Sequence, residues 1–435
     1  MRKLALILLL LLPLLALADI GGWLEAWYAR ATVAAIPGPP TNVAFIFTTA
    51  AYSNTWTAPS ITAATLGDSN VTWYRASDGS STNIKAPPIA FFSVTGDTYH
   101  VGCSDWTKVT GVSFYPGGSA RPMLATMQWG ITNLTGLTSL SALCRECSGL
   151  TGSIPDLSSN TGITTMANSF ISCSALTGSI PSLSNLVKLT TLNGAFDSCK
   201  GLTGSIPDLS SCTGLISMTG FIQSSTNLTG PIPSFSSLTK LTDIGSFARS
   251  CTKLGGSIPD LSSCTGLTTI ANAFRDCPAL TGSIPSLSSN TVLTTIQLAF
   301  YNCIGLTGSI PVLSNNVKLT TIASGFYCCT NLTGPFPNLS SNTGLVDISL
   351  AFINCRFVTG TVDSVFGTYH SLSNLMNSES CFFGCTNLTG VGSNFVNATK
   401  AAGYTVGTNS TNSSYRTFYG CSNLSDWATL DANYK

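Results

Sequence analysis

Set out in rows of 26 residues, the middle of this chain places its apolar and polar positions in columns. In the row that starts at Leu293, Leu293-Thr294-Thr295-Ile296 reads as a short strand, apolar at its ends and hydroxylated between. Ala299-Phe300 with Cys303 reads as a tight turn or a single helical turn packing inward, Leu306-Thr307-Gly308-Ser309-Ile310-Pro311 as a second extended segment, and Leu313-Ser314 as the start of a polar return. The glycine of this phrase stands at Gly152, Gly178, Gly204, Gly230, Gly256, Gly282, Gly308, Gly334 and Gly360, every interval being 26 residues; a further copy, Gly390, follows after 30. A period of this length marks one supersecondary unit per repeat, which buries its apolar face only when its neighbours stack on it. The expected fold is a β-rich repeat solenoid of 26-residue coils.

Three columns carry physical content. The glycine serves a turn that needs φ > 0 or close backbone approach, and the proline that follows it, as at Pro155 and Pro311, marks a strand end because it cannot donate to a ladder. Cys147, Cys173, Cys199, Cys251, Cys277, Cys303, Cys329 and Cys355, continued by Cys385 and Cys421, form a second column. With coils ~4.8 Å apart these become a ladder of buried, mostly free thiols. The off-column Cys103, Cys144, Cys212, Cys264, Cys328 and Cys381 remain the disulfide candidates, although Cys212 and Cys264, two coils or about 9.6 Å apart, are too distant for a direct bond. The third column is Phe170, Phe196, Phe274, Phe300, Phe326, Phe352, Phe382 and Phe418. Near Phe221 and Phe247 the ring comes one residue early and Ser225 replaces a cysteine, so a local defect in the stack is expected there.

The flanks divide the chain further. Residues 1–18 read as a secretory signal, with a positive start, an apolar run from Leu4 to Leu17 and Ala16-Leu17-Ala18 before the cleavage point. Residues 19–40 suit a short helix carrying Trp23 and Trp27 and a proline-rich linker; 41–128 read as a small all-β domain capping the solenoid; the solenoid spans 129–390; and 391–435 form a C-terminal cap. Trp73 followed by Asp78-Gly79-Ser80 resembles a segment of PKD-like β-sandwiches, departing from it at several positions. No segment after the signal is expected to span a membrane.

Composition narrows the function. With 9% charged residues, 44% hydrophobic residues and a net charge of +1, the chain lacks both the signature of disorder and the basic patch a nucleic-acid binder needs. Its two histidines, His100 and His370, lie in different regions, and Cys144-x-x-Cys147 combines a ladder position with a position of the phenylalanine column, so no catalytic constellation, metal site or cofactor is expected. Asp156, Asp208 and Asp260 recur in alternate coils, too far apart to share a calcium ion. The alternation, shared by Cys212 and Cys264, reads as a duplicated two-coil unit. Strand periodicity turns the second threonine of Leu-Thr-Thr-Ile outward, giving a candidate exposed binding row of Thr165, Thr191, Thr269, Thr295 and Thr321, interrupted by Ser217, Asp243 and Asp347. Sequons such as Asn70 and Asn227 matter only in a eukaryotic secretory pathway.

The Leu-Thr-Gly-Ser-Ile-Pro phrase resembles the consensus of plant-type leucine-rich repeats, and Ala195-Phe196-Asp197-Ser198-Cys199-Lys200-Gly201-Leu202 resembles bacterial surface repeats of the BspA type. The bacterial pattern makes Leu-Thr-Gly-Ser-Ile-Pro the main sheet, with both arms extended, and implies attachment to host or neighbouring cells. The expected protein is a secreted or cell-surface adhesion or recognition protein with an extracellular protein or carbohydrate partner, not an enzyme. Ice binding by the threonine row and a structural surface-layer role are the alternatives.

Overall fold

The computed structural model describes residues 43–49, 60–62, 71–77, 80–83, 98–103, 109, 111–114, 124–129, 136–367, 374–401 and 414–435. The expected signal (1–18), the helix with Trp23 and Trp27, the linker to residue 40 and His370 lie outside them.

The first strands are β1 (Val43–Thr49), β2 (Ser60–Thr62), β3 (Val71–Arg75), β4 (Ser81–Asn83), β5 (Thr98–Cys103), β6 (Gly111–Ser113) and β7 (Leu124–Trp129). Five of them pair antiparallel in the order β4-β3-β5-β1-β7, and β2 pairs with β6. Val71, Trp73, Tyr99 and Val101 are buried and continuous with the apolar core of the repeats. At the junction the Phe114 N–H donates to Leu143 O at 2.6 Å, and the Cys147 thiol donates back to Phe114 O at 3.6 Å. The chain after β6 thus offers the first coil the same kind of carbonyl that every later coil receives from its predecessor.

Each coil is a chain of tight turns. In the coil from Leu267, the buried residues are Leu267, Ile270, Ala273, Phe274, Cys277, Leu280, Ile284, Leu287 and Asn290, so every third or fourth position points inward. Turn bonds follow the same step: Ala273 N–H donates to Ile270 O, Leu280 N–H to Cys277 O and Leu293 N–H to Asn290 O, at 3.0–3.3 Å. Between coils, Ile270, Asn272, Phe274 and Asp276 donate their N–H groups to Thr295, Gln297, Ala299 and Tyr301 of the next coil at 2.8–3.4 Å. The backbone left unpaired within a coil is satisfied by stacking, as burial demands.

Two expectations about the arms change. The ladder that runs unbroken, through Ser139, Thr165, Thr191, Ser217, Asp243, Thr269, Thr295, Thr321, Asp347 and Asn377, belongs to the Leu-Thr-Thr-Ile arm. The Leu-Thr-Gly arm, expected as the main sheet, forms separate patches: β8 (Gly152–Ser153) with β9 (Leu176–Thr177), β10 (Gly256–Ser257) with β11 (Leu280–Thr281), β12 (Gly360–Thr361) with β13 (Leu388–Thr389), and single bridges between. Gly256 has φ +78, and a Cβ there would sit 3.0 Å from Pro231 Cβ, so the extended run bends at a close approach between coils. In the other arm the turn that begins at Ile270 ends the strand after one bridge.

The core is stapled by side-chain donors aimed at carbonyls of the preceding coil. The thiols of Cys199, Cys251, Cys277, Cys303, Cys329 and Cys355 donate to Phe170, Ile222, Ala248, Phe274, Phe300 and Phe326 O at 2.9–3.2 Å. Where Ser225 replaces the cysteine its hydroxyl donates to Phe196 O at 2.6 Å, so the break expected in the ladder is bridged. Nearby the phenylalanines stay buried but turn: Phe300 and Phe326 lie 19° from parallel, Phe196 and Phe221 65°. The order Ala-Phe is reversed in Phe247-Ala248, which shifts the ring by one position without opening a gap. Among the described residues the off-column candidates Cys144, Cys212, Cys264, Cys328 and Cys381 are free; the Cys103 side chain lies outside them.

A second ladder was not foreseen. Asn290, Asn316 and Asn342 are fully buried, and each Nδ2 donates to two carbonyls of the preceding coil, Asn316 to Leu287 O and Asn290 O at 2.9 Å. Cys212 and Cys264 occupy this same column, their thiols donating to Leu183 O and Leu238 O at 3.5 Å. At the far end α1 (Val362–Phe366) is held by a reciprocal Thr361–Ser364 capping box, and α2 (Gly392–Ala401) starts with its Gly392 and Ser393 N–H groups on the Asp426 carboxylate at 2.8 and 2.7 Å. Tyr434 O accepts from Phe418 N–H, closing the last coil.

Burial pushes the Cys277 and Cys421 thiols up to about 12 and those of Cys212 and Cys264 to about 11, against 9.0 for a free thiol. Above pH 9 the unfolded chain releases these protons while the folded chain keeps them, so stability falls as pH rises from 9 toward 11, by up to about 1.4 kcal/mol per pH unit each for Cys277 and Cys421 and by less for Cys212 and Cys264. Tm should be flat between pH 7 and 8 and fall steadily above 9; a flat profile to pH 11 contradicts the buried ladder. Leu298 sits at φ +56, where Asn168 and Asn272 stand in other coils. Leu298→Asn should stabilise the protein by roughly 0.5–1 kcal/mol, measured by urea unfolding, because asparagine tolerates this conformation better.

Candidate functional site

The threonine row is not an open hydroxyl surface. Thr165, Thr191, Thr269, Thr295 and Thr321 are half-buried, and each Oγ1 accepts the N–H two residues on, at 3.1–3.2 Å. Asp243 and Asp347, which interrupt the row, do the same through Oδ1 at 2.7 and 2.8 Å. The column therefore selects side chains that close a turn, which explains why threonine and aspartate interchange in it. Outermost are the first threonines of the arm: Thr268, Thr294 and Thr320 are exposed, yet their hydroxyls donate to Thr242, Thr268 and Thr294 O in the preceding coil at 2.9–3.2 Å.

The remaining sequence candidates resolve into architecture. Cys144 and Cys147 are both fully buried, and burial raises the Cys144 thiol well above its ordinary value. Asp156, Asp208 and Asp260 each accept the hydroxyl and N–H of the serine two residues on, which holds them below the usual carboxylate value. Gly152, Gly178, Gly204, Gly230, Gly256, Gly282, Gly308 and Gly334 all have positive φ. His100 lies in β5 opposite Ile46 and Tyr74.

What the stack leaves outside is the column just after the phenylalanines. There Arg275, Tyr301, Tyr327, Ile353, Phe383 and Tyr419 follow one another from coil to coil, their backbones joined by the bonds that link the turns. Tyr301 and Tyr327 stack at 4.4 Å and 13°, Phe383 and Tyr419 at 4.5 Å and 12°. Arg275 lies over the Tyr301 ring at 5.0 Å, and Arg416 over Tyr415 and Tyr419 at 5.0 and 5.7 Å. Ile353 interrupts the aromatic run, and a cavity of about 280 Å³ opens there, lined by Tyr327, Ile353, Asn354, Glu379, Ser380, Phe383, Tyr415 and Arg416. The sequence carried a signal for it in Phe300-Tyr301, Phe326-Tyr327, Phe382-Phe383 and Phe418-Tyr419, where a second aromatic residue follows the buried one.

Comparison with known proteins gives little beside this geometry. No family model matches the chain, and no curated protein matches it. Among solved structures the chain is similar to one described as the functional domain of InlJ from Listeria monocytogenes, which includes a cysteine ladder. The identity is 18%, the TM-score 0.29, and the match covers 66% of this chain and 66% of that one. Among the described residues no helix is long and apolar enough to cross a membrane.

The role assigned to the threonine column can be tested directly. Thr295→Val removes an acceptor from the Gln297 N–H and should cost about 1 kcal/mol in urea unfolding. Thr295→Asp supplies the acceptor that Asp243 uses and should stay within about 0.5 kcal/mol of the parent. Equal losses for the two substitutions would contradict the turn-closing role.

Proposed function

We propose that this is an exported, leucine-rich-repeat-like solenoid that recognises an extracellular protein or carbohydrate through the aromatic face that follows its phenylalanine column, and that it binds its partner without transforming it. The observation that carries the reading is the cavity at Ile353 between two stacked aromatic pairs, with Arg416 and Glu379 in its lining. Aromatic side chains joined to a few convergent polar groups are the chemistry of recognition sites. Tyr419 is 46% exposed, a large ring at the surface of a stack whose other rings are mostly buried. The threonine columns support the same assignment from the other side, because their oxygens are engaged by the backbone of the coils themselves.

The experiment is binding of the full secreted chain to arrays of immobilised glycans and extracellular-matrix proteins, beside two variants. Saturable binding is expected, reduced at least tenfold in Tyr327→Ala/Tyr419→Ala and unchanged in Thr268→Ala/Thr294→Ala. Binding equally strong in the aromatic double variant, or no binding to any spot, would overturn the reading.

A further inference from the structure

We infer that the interruption of the aromatic column at Ile353 is a slot for one neutral pyranose ring, held between the faces of Tyr327 and Phe383. The inference deepens the recognition reading above and rests on it. Neighbouring rings in this column stack at 4.4 and 4.5 Å on either side of the interruption. Tyr327 and Phe383 stand in coils two steps apart, about 9.6 Å at the usual strand spacing. A branched aliphatic side chain reaches less far from the backbone than a tyrosine or phenylalanine ring. Ile353, 6% exposed, therefore fills the inner half of its rung and leaves the outer half open, which is the cavity of about 280 Å³.

The dimensions and the lining select the ligand. Carbon atoms pack at about 3.5–4.0 Å, so a flat ring between the two walls would use about 7–8 Å of the slot and sit loosely. A chair-shaped pyranose is puckered and directs C–H bonds at both walls, which takes up the remainder. Its two apolar faces suit the aromatic walls, and its hydroxyl rim needs donors and acceptors around the edge. Asn354 and Ser380 offer both, Glu379 accepts, and Arg416 donates. An aromatic or aliphatic side chain from a partner protein would leave these four groups without use. One acid and one base cancel in charge, which points to an uncharged sugar. Arg416 is already oriented by the rings of Tyr415 and Tyr419, so little of its freedom remains to be lost on binding.

The test uses the full chain and four probes: the methyl β-pyranosides of glucose, galactose, mannose and N-acetylglucosamine. Saturation-transfer NMR should show transfer from protein to the ring C–H protons of at least one of them. Ile353→Tyr continues the aromatic column through the slot and should abolish the transfer while leaving the circular dichroism unchanged. Glu379→Gln, a milder change at the edge of the cavity, should weaken binding several-fold, and Thr294→Ala, on the Leu-Thr-Thr-Ile arm, should leave it intact. Transfer that survives Ile353→Tyr, or no transfer with any of the four probes, overturns the slot. Array binding by the unaltered chain that persists in Ile353→Tyr would then leave the broader recognition reading standing while the slot falls.

Discussion

Everything in this molecule follows from the carbonyls that its turns direct inward. A strand hands its hydrogen bonds to its neighbours and leaves the interior to apolar side chains, but a coil built from three-residue turns carries backbone oxygens into the core. Each must find a donor, because an unpaired buried acceptor costs about 1–3 kcal/mol. The next coil supplies it: a thiol at most rungs, a serine hydroxyl at Ser225, an asparagine amide in the second ladder. Cysteine suits the task because it packs as a small apolar residue and still carries a hydrogen.

The same economy decides where recognition can lie. The polar side chains of the Thr-Thr arm look available in the sequence, but the stack uses them to close turns and tie coils together. The column after the phenylalanines differs because its aromatic side chains are not spent on closing turns and stand partly exposed. Residues there are free to vary, and they do, from Arg275 through two tyrosines to Ile353, Phe383 and Tyr419. A ring of one coil stacks on the ring of the next, so a single aliphatic residue among them opens a cavity.

The stacking of coils was legible because it rests on columns that repeat without drift. Gly256 and its equivalents announce a positive φ, and Cys277 and its equivalents announce an interior rung. Which arm pairs continuously was not legible: Leu-Thr-Thr-Ile and Leu-Thr-Gly-Ser both look like strands, and only the turns that follow Ile270 and Gly256 decide how far each one extends. The asparagine ladder was hidden by its substitutions. Leu186, Cys212, Leu238 and Cys264 precede Asn290, Asn316 and Asn342 along one column, so the three asparagines read in the sequence as part of the polar return. The aromatic face was hidden for the opposite reason, since each of its rings sits directly beside a phenylalanine already assigned to the core.

The cysteine column consists of buried free thiols that donate to carbonyls. The most direct measurement is mass mapping of the full chain alkylated with iodoacetamide at pH 8 without reductant, once in the native state and once in guanidinium chloride. Cys199, Cys251, Cys277, Cys303, Cys329 and Cys355 should be unmodified in the native protein and fully modified after unfolding. A disulfide between any two of them, or modification of the column in the native protein at the rate of a free thiol, would contradict the buried thiol ladder.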